Sequence, residues 1–403
     1  MLSVQIFSVH PWGGSMRAGL VLLIMFMATQ SAGTTARTLS FVDGEPVLHA
    51  DKAFKKSSAI QTGDTTRTFS SFLNTLSIVR SGTSTLGVLK PEMPNAPYVF
   101  LDDERLQVFA ASDLPSTAID STVQYTNEAY ELWMGDAYYG KNQAKAIYVM
   151  ITGQDLEAGQ EANREYCDYI LWVGFPSAEW CSPDTYIEYV TNGGAGINSS
   201  GPVEGYYFMV MGARNGELDS GYKTMTYHEV FHIYQMSNVF SDSYDEVDSK
   251  MGRMSGDNPS ELVAWWMEGN ADFFSTLYTK DLEGFKSEMV WALEGTGPFD
   301  IPRKQKFFET GIKLYNLSWD QGDTVDLGYR LGSWFVAYLV NSHGEDKVYK
   351  FWETVDKASF EDTFLQQFGK DYRAYIDEFE VWLGQPNEAL YLILDGLYNA
   401  KVR

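Results

Sequence analysis

The 403 residues carry 54 Asp and Glu against 30 Lys and Arg, a formal charge of −24. That balance leaves no cationic face to neutralise phosphates, which excludes a nucleic-acid binder, and it equally excludes a polybasic membrane anchor. With 44% hydrophobic and 21% charged residues, including 11 Trp, 25 Tyr and 24 Phe, the chain is composed to bury a large core rather than to remain disordered.

Near the start, Arg17 precedes an apolar run of eleven residues, Ala18 to Ala28, followed by Thr29-Gln30-Ser31-Ala32-Gly33. This is the layout of a secretory signal peptide, and the run falls short of the roughly 20 residues that span a bilayer. Cleavage near Ala32 is expected, giving a secreted protein, periplasmic or extracellular, with no stable membrane insertion. Removing residues 1–32 deletes a single charge, Arg17, and leaves the mature chain near −25.

Residues 33–97 are a Ser/Thr-rich arm, read as a linker or a pro-segment. The Pro-punctuated stretch Lys90 to Pro97 leads into a predicted strand, Tyr98 to Leu101. Ser116 to Met134 reads as a helix, Ala146 to Ile151 as a buried strand and Asp155 to Ile170 as a helix. Two further strands are expected at Tyr186 to Val190 and Tyr206 to Met211, joined by a Gly-rich loop from Asn192 to Gly205. After Gly221 helical patterns dominate, with cores at Ser260 to Tyr278, Gly328 to Asn341 and Asp371 to Leu383. Residues 98–403 therefore form an α+β domain, with a sheet-bearing half over 98–221 and a helical half over 222–403.

The two cysteines, Cys167 and Cys181, enclose 13 residues. In an exported chain one local disulfide is expected, worth roughly 3 kcal/mol; two buried thiols are the alternative.

Of five histidines, His10 lies in the leader, His49 in the arm and His343 at an expected helix end. The other two stand four apart in His228-Glu229-Val230-Phe231-His232. On a helix that spacing puts both imidazoles on one face, within reach of one metal ion, and Glu229 beside them is placed to take a proton from metal-bound water without ligating the ion. A third ligand is needed for a catalytic zinc. Glu268 lies inside the apolar and aromatic run Leu262 to Phe274, where a carboxylate is costly to bury unless it is paired or bound to metal. Asn258, Pro259 and Glu261 predict the start of the helix carrying it. Gly269 costs a helix roughly 1 kcal/mol relative to Ala, which suggests close backbone approach to another element. Asp272, one turn past Glu268, is positioned to accept a hydrogen bond from the second nitrogen of a ligand histidine. The acidic stretch Asp242 to Asp248 is read as a solvated loop, with a structural Ca2+ as the alternative.

His228-Glu-x-x-His232 followed by Trp265-x-x-Glu268-Gly269-x-Ala271-Asp272 resembles the gluzincin zinc metallopeptidases, and the run Trp265 to Phe274 is particularly similar to the matching helix of bacterial collagenases. The resemblance implies a zincin-like, thermolysin-like fold with a mixed sheet and an edge strand. It also implies one Zn2+ held by His228, His232 and Glu268, Glu229 as general base and Asp272 supporting a ligand histidine. Gly328-Tyr329-Arg330-Leu331-Gly332 is similar to the gluzincin helix whose tyrosine stabilises the oxyanion, which implies that role for Tyr329, with Tyr338 in reserve. Tyr206 to Met211 is placed like the edge strand that pairs with peptide substrates in that superfamily.

The 35 residues between His232 and Glu268 exceed the spacing usual in thermolysin-like relatives. The segment by which aminopeptidase relatives recognise a free N-terminus is missing ahead of His228, which favours endopeptidase action. The expected function is hydrolysis of peptide or protein substrates by a secreted zinc metalloendopeptidase. A zinc aminopeptidase and a non-catalytic surface or binding protein of the same fold are the alternatives, and the oligomeric state is left open.

Overall fold

The computed structural model describes residues 106–135, 144, 146–172, 193–199, 205–241 and 243–402, together with four short strands between residues 37 and 88. The chain divides into two units, Ser15–Pro97 and Tyr98–Arg403, the latter with Met1–Gly14. The smaller unit contains two antiparallel hairpins, β1 (Arg37–Val42) with β2 (Glu45–Ala50) and β3 (Ile78–Arg80) with β4 (Leu86–Val88). The alternation Thr38-Leu39-Ser40-Phe41 within β1 has the period of two expected of a strand. The leader, the strands expected at Tyr98 to Leu101 and Tyr186 to Val190, and Cys181 lie outside the described residues. The pairing of Cys167, buried on its helix, therefore stays an expectation.

The larger unit is α+β. Its sheet runs β5 (Leu106–Ala110), β6 (Ala146–Thr152), β8 (Tyr206–Gly212), β7 (Ala195–Ser199) in space, with β5, β6 and β8 parallel and β7 antiparallel to β8. Strands β6, up to its last residue Thr152, and β8 are apolar because both faces are covered, as parallel strands in such sheets require. Ile147, Val149, Tyr207 and Met209 join the main core, which includes α1 (Ala118–Met134) and α3 (Ser220–Ser237). Tyr148, Met150, Phe208 and Val210 meet Tyr166 and Ile170 of α2 (Leu156–Trp172) on the other face.

This order corrects one expectation. Tyr206 to Met211 is interior to the sheet, hydrogen-bonded on both sides, and among the described residues the edge beside it is β7, within the stretch read as a Gly-rich loop. An uninterrupted apolar strand marks an interior position. The edge strand Ala195-Gly196-Ile197-Asn198-Ser199 has too few apolar residues to be seen by periodicity.

The helical half follows as α4 (Tyr244–Lys250), α5 (Met267–Thr279), α6 (Leu282–Glu294), α7 (Arg303–Thr310), α8 (Val325–His343), α9 (Glu345–Thr354), α10 (Phe360–Phe368) and α11 (Tyr372–Leu383), with short α12 (Asn387–Tyr391) and α13 (Leu394–Asn399) last. Helix α5 lies between α3 and α8 and packs on both. Trp265 and Trp266, fully buried at its entrance, gather Phe335, Phe351, Trp352, Phe360 and Phe364 around them.

Helix α5 starts later than its sequence suggests. Asn258 accepts from the Ser260 amide in a turn rather than capping a helix, and Val263 then forms a bridge with Ser318 while its amide donates to the Arg253 carbonyl at 2.7 Å. These tertiary hydrogen bonds hold residues 262–264 out of the helix, so Glu268 occupies the first turn of α5 and not its middle.

Candidate metal centre

Three helices build the site. Asp219 caps α3 by accepting from the amides of Gly221 and Tyr222 at 2.8 and 3.0 Å, and two turns further on His228 and His232 emerge from one face. Their rings stand edge to face with centroids 4.7 Å apart. Helix α8 then approaches α5 backbone to backbone. A Cβ on Gly269 would lie 2.4 Å from the carbonyl carbon of Gly332, and one on Gly332 would lie 2.3 Å from the carbonyl oxygen of Trp265. Glycine at both positions is what allows Tyr329 and Arg330 of α8 to reach the same site as Glu268 and Asp272.

The site converges on three atoms. His228 Nε2 and His232 Nε2 are 3.0 Å apart and lie 3.1 and 3.0 Å from Glu268 Oε2. Among the described residues this is the group of three or more metal-ligating side chains that faces a common point. Each ring is held by its other nitrogen. His228 Nδ1–H donates to Asp272 Oδ1 at 3.0 Å, and His232 Nδ1–H donates to Gln235 Oε1 at 2.7 Å. With Nδ1 as the donor, each neutral ring turns an Nε2 lone pair inward beside the Glu268 oxygen, a set that could hold a cation; in the metal-free protein a proton on His228 Nε2 is shared with Glu268 instead. Zinc fits the set: two imidazoles and a carboxylate are a common catalytic donor combination, and the separations fall just under the edge of about 3.3 Å expected for a tetrahedron with zinc–ligand bonds of about 2.0–2.1 Å.

The carboxylates around the two histidines differ in their hold on a proton. Burial opposes ionisation of Glu268, yet His232 and His228 hold its carboxyl well below the usual range. Asp272, also buried, is held down by Arg330 and His228. Burial disfavours the charged form of His228, but its bonds to Asp272 and Glu268 outweigh this and push the metal-free ring up to about 10. Glu229 behaves differently. Burial raises its pKa, and the two histidines only partly offset that, so it is the carboxylate of this cluster with the greatest affinity for a proton.

Tyr329 lies beside the triangle, its ring parallel to that of His228 at 6.5 Å and edge-on to Trp319 at 6.3 Å. Burial and the nearby Glu268 charge push its phenol well above the ordinary value, which keeps the O–H available as a donor. Tyr338, further along α8, packs on Phe379 and Trp382, and the structure groups only Tyr329 with the histidines.

Of the stretch read as an acidic loop, residues 244–248 belong to helix α4. Ser243 caps α4 by accepting from the Glu246 amide, Glu246 accepts from Ser241 Oγ at 2.7 Å, and buried Asp248 binds Arg253 at 2.6 Å. The acidic pattern reads as a loop because its apolar positions are few, but acids in a first turn favour a helix start.

Two residues of the site escaped the sequence reading. Gln235 fixes His232 and also donates to the Met267 carbonyl at 3.0 Å, tying α3 to the start of α5. Arg330 binds Asp272 Oδ2 at 2.5 Å. Gln235, three residues past His232, was findable as a polar residue in the apolar run that ends α3. Nothing in the spacing of Arg330 indicated its partner. No family model matches the chain, and no curated protein matches it.

Proposed function

We propose that the protein is an exported zinc metallopeptidase that cleaves peptide bonds within extended substrates. The observation that carries this reading is the convergence of His228 Nε2, His232 Nε2 and Glu268 Oε2 within 3.1 Å, with each ring oriented from behind by a hydrogen-bond acceptor. Bound there, zinc would supply Lewis acidity to a water and to the scissile carbonyl.

The remaining chemistry belongs to side chains of this chain. Glu229, buried and with its affinity for protons raised, takes the proton of the attacking water and returns it to the leaving amine. Tyr329 donates its phenol to the oxyanion that develops on the carbonyl. Asp272 and Gln235 hold the two rings in the tautomer that directs Nε2 inward. An extended peptide adds to the sheet along β7, whose end is held where the Tyr244 hydroxyl donates to the Ser199 carbonyl.

The buried base favours catalysis over a purely structural metal, because a closed structural site has no use for a carboxylate that ligates nothing. Export rests on the apolar leader, and no described helix is long and apolar enough to cross a membrane. The test is zinc content and casein cleavage for the wild type and Glu229→Gln. Zinc bound by both with cleavage only by the wild type is expected, and equal cleavage by both would sink the assignment.

A further inference from the structure

We propose that Arg303 and Asp326 are positioning residues for the His228 side of the site, acting through Arg330 and Asp272. The inference rests on the reading of His228 as a metal ligand. Asp272 receives His228 Nδ1–H on one carboxylate oxygen and Arg330 Nη1–H on the other. Arg330 Nε faces Asp326 Oδ1, one helical turn earlier on α8, at 3.9 Å. Asp326 is in turn gripped by Arg303, which donates through Nε to Oδ2 and through Nη2 to Oδ1 at 3.4 Å. The order His228, Asp272, Arg330, Asp326, Arg303 alternates in charge from the metal site to the α6–α7 connection.

The far end of this ladder is built around its arginine. Arg303 is fully buried, its Nη1 donates to the Trp291 carbonyl at 3.1 Å and its own amide donates to the Gly295 carbonyl at 3.1 Å. A Cβ on Gly295 or Gly297 would meet the guanidinium at 2.7 or 2.6 Å, so the loop before α7 closes over it only with glycine at both places. Both guanidinium carbons, of Arg303 and Arg330, stand over the Trp291 ring, at 4.2 and 5.1 Å from its centroid. Burying a guanidinium is costly unless it is paired, and an apolar side chain would fill the same space without that cost. The pair does what an apolar side chain cannot. It holds Asp326 where it faces Arg330, whose long side chain would otherwise have rotational freedom. With Arg330 held, the carboxylate plane of Asp272 is set, and with it the direction of the His228 ring.

The experiment measures zinc affinity by chelator competition, alongside the proton NMR resonance of His228 Nδ1–H, for the wild type, Asp326→Asn, Arg330→Gln and Glu345→Gln. The last is a control: Glu345 is a buried carboxylate that accepts the phenols of Tyr278 and Tyr349 and not a residue of the ladder. Asp326→Asn and Arg330→Gln are expected to weaken zinc binding about tenfold, the lower end for partners behind a ligand, and to shift the His228 resonance. Glu345→Gln should lower the melting temperature and leave both readouts alone. Should Asp326→Asn fail to fold, Arg303→Lys, which keeps the buried charge but gives up the two-pronged grip on Asp326, carries the same expectation. Folded variants with wild-type zinc affinity and an unmoved resonance overturn the ladder and leave the metal reading standing. A wild type that binds no zinc overturns both.

Discussion

The two histidines of the site are held in opposite ways. His228 leans on a charged carboxylate, Asp272, which is itself clamped by Arg330. His232 leans on a neutral amide, Gln235, which is tethered to the Met267 carbonyl. A carboxylate behind a ring makes it more basic and a stronger ligand, whereas an amide orients the ring with little change to its charge. The site therefore separates two tasks: charge is adjusted on the Asp272 side, and the relative placement of α3 and α5 on the Gln235 side.

The largest effect should come from the group that both sides share. Glu268→Gln removes the charge facing both rings, and zinc measured after dialysis should drop far below one equivalent; stoichiometric zinc in this variant would remove Glu268 from the ligand set. Next, Gly332→Ala should break one side selectively. A methyl group 2.3 Å from the Trp265 carbonyl oxygen forces α8 away from α5, at a cost of about 1–3 kcal/mol for an overpacked core. Chemical denaturation would report this loss, and the separation would pull Arg330 from Asp272 without touching the Gln235 bond.

Asp272→Asn should weaken zinc binding about 10–100-fold, and Gln235→Leu by less than that, since only the first removes a charge. Equal losses would erase the distinction between the two sides. A separate prediction concerns pH in the metal-free protein. The His228 value rises from 6.5 to about 10 on folding. The stability this contributes is complete below about pH 6.5 and is lost as pH rises through about 10. The melting temperature of metal-free wild type should fall across that window more than that of Asp272→Asn, and parallel curves would place the source of the shift elsewhere.

The pieces of the site that lie close together in sequence were legible there. His228 and His232 at a spacing of four, Glu229 between them, and Asp272 one turn beyond Glu268 follow from helical periodicity alone. Gly269 was legible as a point of close approach because glycine inside a helix needs a reason, and the reason is Gly332. Where α5 begins was not legible. Asn258 and Pro259 form a good local start signal, but the bridge of Val263 to Ser318, 55 residues away, overrides it. The edge of the sheet was misplaced for a similar reason: apolar content reports burial of a strand's faces and says nothing of which neighbours pair with it.

By itself the sequence determined that His228, Glu229 and His232 share one stretch of helix with both imidazoles on one face, since that depends on residue type and on a repeat of 3.6. It also determined the division into a sheet-bearing and a helical half. Only the tertiary structure decided which oxygen faces which nitrogen, that Gln235 and not a second carboxylate stands behind His232, and that a buried arginine 75 residues past His228 lies at the end of its chain of charges. Periodicity acts over a few residues along the chain. Alternating charges and backbone contact between glycines act through space, between helices that the core brings together.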